Sequence, residues 1–253
     1  MGVLIPYFGG KNRLAKRIIE KISPHTCYVE VFAGGAGVLF CKKQSKVEIL
    51  NNLDRELITL YRVVKHHPEE FYRQFKWTLF ARDEFDRLKK VDPSTLTDVQ
   101  RAVRYYYLQR SAFGGKVVDQ TFGTATERPP RVNLFNLETT ITETWQRLAG
   151  VTIECLDFRN LIQRYDRTHT FFFLDPPYWN LPGYRHDFEE KDFLDLAELL
   201  KDLSGKFLMT INDTPEVREI FGRFKIEEAQ LKYSLSSSMK ARSKIHTELL
   251  ISN

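Results

Sequence analysis

Cys27-Tyr28-Val29-Glu30-Val31-Phe32-Ala33-Gly34-Gly35-Ala36-Gly37 is the stretch on which the fold turns. Its first six residues read as a short, mostly buried strand. The glycines that follow mark a tight turn into a helix through Leu39 and Phe40. Upstream, residues 14–22 carry apolar side chains at helical spacing. Downstream, 46–50 is a second strand closed by the turn-like Asn51-Asn52, and Asp54 opens a helix with Leu57, Ile58, Leu60, Tyr61 and Val64 on one face. Strand, helix, strand, helix is the alternation of a parallel sheet covered by helices.

The pattern changes in the middle. Residues 68–111 are charge-rich and helix-like with no strand, and 113–135 hold three glycines and two prolines with little periodicity. A loop that long inside a compact domain is usually functional or disordered. After a helix over 137–148, strands resume at 151–155, 171–174, 207–211 and 248–252. The chain therefore reads as an α/β domain, residues 1–61 and 149–253, carrying a largely helical insertion at 62–148.

Composition narrows the class. With 253 residues, 42% hydrophobic and 28% charged, the chain is neither disordered nor fibrous. Cys27, Cys41 and Cys155 contain no Cys-x-x-Cys pair, so they read as core thiols of a protein from a reducing compartment rather than as a disulfide framework or a zinc knuckle. No run approaches the roughly 18 apolar residues of a membrane span, and a cytoplasmic protein is expected. The net charge of +5 permits a polyanionic partner. Residues 232–247 hold Lys232, Lys240, Arg242 and Lys244 with no acidic residue, which is either a solvated basic loop or a polyanion contact.

Two constellations carry chemistry. In the first, Phe32-Ala33-Gly34-Gly35-Ala36-Gly37 follows a strand, and Asp54 lies 20 residues beyond Gly34. Glycines let backbone approach a ligand closely, and an acid after the next strand accepts from ribose hydroxyls, so a nucleoside-containing cofactor is expected. A dinucleotide fingerprint would need glycine where Ala36 and Leu39 stand, and no Gly-Lys-Ser/Thr ends the loop as a phosphate cradle would require. In the second, Asp175-Pro176-Pro177-Tyr178 follows the apolar run 171–174. A carboxylate, a proline carbonyl and an aromatic face suit a planar heterocycle with an exocyclic amine, whose two N–H groups Asp175 and the Pro176 carbonyl would accept while Tyr178 stacks on the ring. None of the cysteines follows a proline, which disfavours covalent attack on a cytosine ring, and no metal is required.

These two motifs, with Pro6-Tyr7-Phe8-Gly9-Gly10-Lys11, Asn51-Asn52-Leu53-Asp54, Asp157-Phe158 and Asn212-Asp213-Thr214-Pro215, resemble the Dam family of DNA adenine-N6 methyltransferases, which includes phage and prophage enzymes. The resemblance implies a Rossmann-like class I methyltransferase sheet with an inserted DNA-recognition lobe, S-adenosyl-L-methionine as cofactor and double-stranded DNA as partner. It sets the protein in a prokaryotic or phage context, with or without a cognate restriction enzyme. Carried onto this sequence, it places Tyr7 and Lys11 at the methionine end of the cofactor, Phe32, Ala33, Gly34 and Gly35 along it, Asp54 on the ribose, and Asp157 and Phe158 at the adenine. Asp175 borders the cofactor as well as the target base. Asp157 is equally a helix N-cap. Arg104, Arg110, Lys116, Arg128 and Arg131 are candidates for phosphate or guanine contacts, and Gln120 for a pair of bonds to adenine. Methylation of RNA, methylation of the cytosine amine, and a DNA-binding protein without turnover remain as alternatives.

Overall fold

The computed structural model describes every residue except 1–2, 12–13, 125–133, 135 and 233–244. Helix α1 (Ala15–Glu20) leads into β1 (Cys27–Glu30), α2 (Gly37–Cys41), β2 (Val47–Asn51) and α3 (Arg55–His66). The insertion contributes α4 (Pro68–Phe75), α5 (Arg82–Lys90), α6 (Asp98–Ser111) and α7 (Leu137–Leu148). The chain then returns through β3 (Val151–Glu154), α8 (Phe158–Tyr165), β4 (Thr170–Leu174), α9 (Glu190–Lys201), β5 (Lys206–Asn212), α10 (Pro215–Ile220), β6 (Lys225–Lys232) and β7 (Ile245–Ser252). The expected boundary at 62 falls inside α3, and that at 148 is the last residue of α7.

All seven strands form one sheet in the order β3-β2-β1-β4-β5-β7-β6. Strands β1 to β5 are parallel, and β7 runs antiparallel between β5 and β6. The chain steps outward on one side of β1 to β2 and β3, and on the other side to β4 and β5. The crevice at this reversal, beyond the carboxyl ends of the strands, is where open α/β sheets bind ligands. Glu30 pairs with Leu50 and with Phe173, so the three strands end level and the residues just after them share one rim.

Both faces of the sheet are covered, which is why Thr170–Leu174 is buried at every position rather than at alternate ones. Val29, Phe172, Leu174 and Met209 face α8 and α9, whereas Tyr28, Phe171 and Phe173 face α2 and α3. This second core continues into the insertion. Tyr105, Tyr106 and Tyr107 on α6 are all buried, and Tyr106 meets Phe71 and Phe75 of α4 edge-on at 5.4 and 4.9 Å. Each fully buried phenylalanine contributes roughly 1.5–3 kcal/mol. Arg147 of α7 donates to the Leu39 carbonyl at 2.8 Å and pairs with buried Glu48, which Lys42 also contacts, tying the end of the insertion to α2 and β2.

One expectation is corrected, and one strand is added. Cys41 is exposed, because α2 is barely more than one turn and buries residues 37–40 while its last residue points outward; Cys27 is buried and Cys155 half-buried. Strand β6 was not legible, because Lys225, Glu227 and Glu228 give it the charged character of a sheet edge rather than an apolar run.

Candidate active site

The glycine turn after β1 is strained where the sequence suggested. Gly34 has φ +48° and Ala36 φ +52°, the left-handed region that favours glycine. A Cβ on Gly34 would lie 2.8 Å from Cδ1 of Tyr7, and one on Gly35 would lie 3.1 Å from the Tyr7 Cβ. The close approach these glycines permit is therefore that of Tyr7, whose ring packs on the turn and whose phenol burial pushes strongly upward in pKa. Tyr61 donates to the Gly34 carbonyl at 2.8 Å and fixes the turn from below. Gly34→Ala combines backbone strain with a clash against that ring, so it is expected to weaken binding of the nucleoside cofactor expected in this cleft at least tenfold by calorimetric titration, a change of about 1.4 kcal/mol or more. Unchanged affinity would show that the turn tolerates a side chain.

Asn51, read from sequence as part of a turn, is a clip. Its amide donates to Val31 O at 2.9 Å and Leu156 O at 3.0 Å, and its oxygen accepts from Leu156 N at 2.8 Å, joining the exits of β1, β2 and β3. Just beyond, Asp54 caps α3: Oδ1 accepts from Glu56 N at 3.0 Å. Its Oδ2 is buried, accepts no hydrogen bond among the described residues, and has Arg185 Nε 3.6 Å away. Burial raises the pKa of this carboxyl, and Arg185 opposes the shift. Asp157 caps α8 by accepting from Arg159 N at 2.9 Å while also facing the cleft. Next to it, Phe32, Phe158 and Phe188 form an aromatic wall with ring separations of 5.2 to 5.9 Å.

At the end of β4, Asp175 Oδ1 receives two donors, Lys11 Nζ at 2.8 Å and Thr210 Oγ1 at 2.8 Å. Lys11 is buried, donates to Gly9 O at 2.7 Å, and stands 4.8 Å over the Tyr178 ring. Burial raises the Asp175 pKa, with Lys11 the main opposing influence. Asn212 clips the following loop, accepting from Trp179 N at 2.9 Å and donating to Trp179 O at 3.0 Å.

These groups surround one cleft of about 1030 Å³, open mouth included. Tyr7, Lys11, Phe32, Ala33, Gly34, Gly35, Asp54, Asp157, Phe158 and Asp175 all line it. Pro176 is buried beside it, and Tyr178 is half-buried against Lys11. Sequence reasoning missed Tyr184, Arg185 and Phe188, which close the cleft from the loop after Tyr178. Their one local signal was an aromatic and charged cluster following two prolines.

The insertion distributes its candidates differently. Arg110 is half-buried with its guanidinium 5.4 Å over Tyr106, and Lys116 is exposed. Gln120 is buried, and its amide is committed to Gln109 Oε1 at 3.0 Å and Lys116 O at 2.9 Å. As placed, it holds the 111–124 loop together and presents no amide to a base. Arg104 is likewise buried, donating to Leu88 O at 2.8 Å. Arg128, Arg131 and most of the basic stretch 232–247 lie outside the described residues. Among the described residues no cluster of His, Cys, Asp or Glu is arranged to hold a metal, and no helix is long and apolar enough to cross a membrane.

Glu30, at the end of β1, faces the floor of the cleft wholly buried, accepting at Oε2 from Tyr28 OH at 3.0 Å and Leu39 N at 2.9 Å. Burial pushes its carboxyl up to about 8. A folded-state pKa above the unfolded value, about 4.3, gives stability that is complete at low pH and lost as pH rises through the folded value. Melting temperature should accordingly fall between about pH 4, near the unfolded value, and about pH 8, the folded one, by more in the wild type than in Glu30→Gln; parallel trends in the two proteins would place the titration elsewhere.

A mixed sheet with an antiparallel seventh strand, a cleft at its switch point and Asp-Pro-Pro-Tyr on the rim defines a Rossmann-like methyltransferase. The family model for D12 class N6 adenine-specific DNA methyltransferases matches residues 7–235, and the chain belongs to that family. It is 28% identical over 242 residues to the type II methyltransferase M.CviBI of Paramecium bursaria Chlorella virus NC1A, covering 92% of this chain and 91% of the viral protein. It is 25% identical over 272 residues to the DNA adenine methylase of Escherichia coli strain K12, covering 95% and 91%. The corresponding Haemophilus influenzae enzyme is 24% identical over 271 residues, covering 95% and 90%. The protein is thus an enzyme that methylates the N6 amine of adenine in DNA.

Proposed function

We propose that the methyl donor is S-adenosylmethionine, held in the cleft with its ribose on Asp54 and its adenine against Phe158 and Asp157. The observation that carries this reading is the buried Oδ2 of Asp54, a residue that lines the cleft: it has Arg185 Nε at 3.6 Å but accepts no hydrogen bond among the described residues. A ribose diol would satisfy it, as a buried carboxylate oxygen requires. When bound, the cofactor supplies an electrophilic methyl group on a sulfonium.

The chain's own part is positioning and polarisation. Lys11 and Thr210 both reach Oδ1 of Asp175, so Oδ2 would take one N–H of the target amine while the Pro176 carbonyl takes the other. That favours a pyramidal nitrogen whose lone pair points toward the methyl group. Lys11 favours the ionised form of Asp175 against the effect of burial and aims the carboxylate, so little acid-base machinery is needed. Reaching this pocket requires the adenine to leave the duplex at a cost of a few kcal/mol, which stacking on Tyr178 offsets in part. The insertion, residues 62–148, would read the DNA, with Arg110 and Lys116 on phosphates or guanines.

The test is incubation with isotopically labelled S-adenosylmethionine and unmethylated duplex DNA, followed by nucleoside mass spectrometry and calorimetric titration of the cofactor. Label in N6-methyladenine, lost in Asp175→Ala, is the expected result. Turnover that survives in Asp175→Ala would remove Asp175 from its assigned role, and cofactor affinity unaffected by Asp54→Ala would remove the ribose assignment.

A further inference from the structure

We infer that Thr210 is a positioning residue for methyl transfer, its hydroxyl holding Asp175 so that Oδ2 is the oxygen presented to the target amine. The inference rests on the reading of Asp175 as the amine acceptor. Thr210 lies inside β5 among Phe207, Leu208, Met209 and Ile211, all buried, and is itself 0% exposed. A hydroxyl in such surroundings is costly unless it is bonded, and valine would fill the same space without that cost.

The hydroxyl has one hydrogen and two acceptors within reach, Asp175 Oδ1 at 2.8 Å and Leu174 O at 3.5 Å. The shorter contact, to a charged oxygen, takes it. Register explains the reach: Leu174 pairs with Met209, so the next residues along β4 and β5, Asp175 and Thr210, stand side by side at the rim. With Lys11 arriving on the same oxygen from the N-terminal segment, two donors from different parts of the chain converge on Oδ1 and fix the plane of the carboxylate.

The charged and titratable groups bearing on Asp175 are Lys11 from the N-terminal segment, Glu30 from β1 and Glu248 from β7. Thr210 adds a neutral donor that favours the ionised form. Removing it raises the Asp175 pKa and moves the acid limb of the rate profile to higher pH.

The experiment measures single-turnover methyl transfer at saturating cofactor and DNA across pH for wild type, Thr210→Val, Thr210→Ser and Asp175→Ala. Thr210→Val is expected to lose about 10- to 100-fold in rate and to shift the acid limb upward, with dissociation constants for cofactor and DNA within about twofold, since Thr210 is wholly buried and does not line the cleft. Thr210→Ser restores both rate and limb. A purely packing role predicts the opposite ranking, because valine keeps the volume and serine leaves a cavity. An unshifted limb in Thr210→Val, or serine no better than valine, overturns the inference. If Asp175→Ala is inactive while Thr210→Val matches wild type, only the Thr210 assignment fails. If Asp175→Ala keeps the wild-type rate, the reading of Asp175 fails with it.

Discussion

Asp175→Asn is expected to lower turnover by about 10²- to 10³-fold, the range found when one preorganised polar contact to a reacting group is removed. The substitution preserves shape. An asparagine oxygen in place of Oδ1 still receives Lys11 and Thr210, so the amide nitrogen is forced toward the target amine, where two donors face each other. Cofactor affinity should change little by comparison, because most of the cleft wall is untouched. Asp175→Ala adds a second effect. A position just beyond β4 suggests a variant that folds normally, yet the carboxylate is the partner of Lys11, whose side chain is 4% exposed. Removing one member of such a buried pair costs about 3–5 kcal/mol, so the alanine variant should also melt at lower temperature. Equal turnover in wild type and Asp175→Asn at neutral pH would mean that the amine is held elsewhere.

Asp54→Ala should weaken cofactor binding by about 10- to 100-fold, since a hydrogen bond to a charged group contributes roughly 1.5–3 kcal/mol. The same change removes the N-cap of α3, a further cost to stability of about 1 kcal/mol. Asp54→Asn separates the two effects, because its side-chain oxygen can still accept from Glu56 N while the carboxylate charge is gone. Calorimetric titration beside thermal melting should show alanine losing both properties and asparagine losing chiefly affinity. Because burial raises the Asp54 pKa, the charged acceptor is lost as pH falls through that raised value, and cofactor affinity should weaken toward acid pH.

How much of this was legible in the sequence depended on how local the cause was. The buried run of β4, the cap at Asp54 and the helix Leu137–Leu148 are written in neighbouring residues, and each was read close to its observed bounds. The site residues from Phe32 to Asp175 converge on one cleft because parallel strands bring their ends together, an outcome implied by strand-helix alternation. What stayed hidden is non-local. Nothing near Gln120 reveals that Gln109 claims its amide, nor does anything near Thr210 reveal Asp175 at 2.8 Å, 35 residues away. The glycines at 34 and 35 suggest close approach of a ligand, and the group the structure sets against them is the Tyr7 side chain, from a segment that precedes β1.

Gln109 bears on whether target specificity could be transplanted. Its side chain, with no exposed surface, donates to Pro6 O at 3.0 Å and Gly115 O at 2.7 Å and accepts from Gln120 at 3.0 Å, so the segment leading to Tyr7 and Lys11 and the 111–124 loop share one amide. A chimera spliced at the two chain crossings, taking its reader from a relative, would set that amide or its replacement against unfamiliar backbone at the edge of the methyl-transfer pocket. Donors would have to be chosen for a glutamine here and for tyrosines that fit α3, before any thought is given to the bases they read. Under the proposed reading of the insertion as the part that reads DNA, specificity is better altered by substitutions at exposed positions of the 111–124 loop, such as Lys116, than by exchange of whole modules.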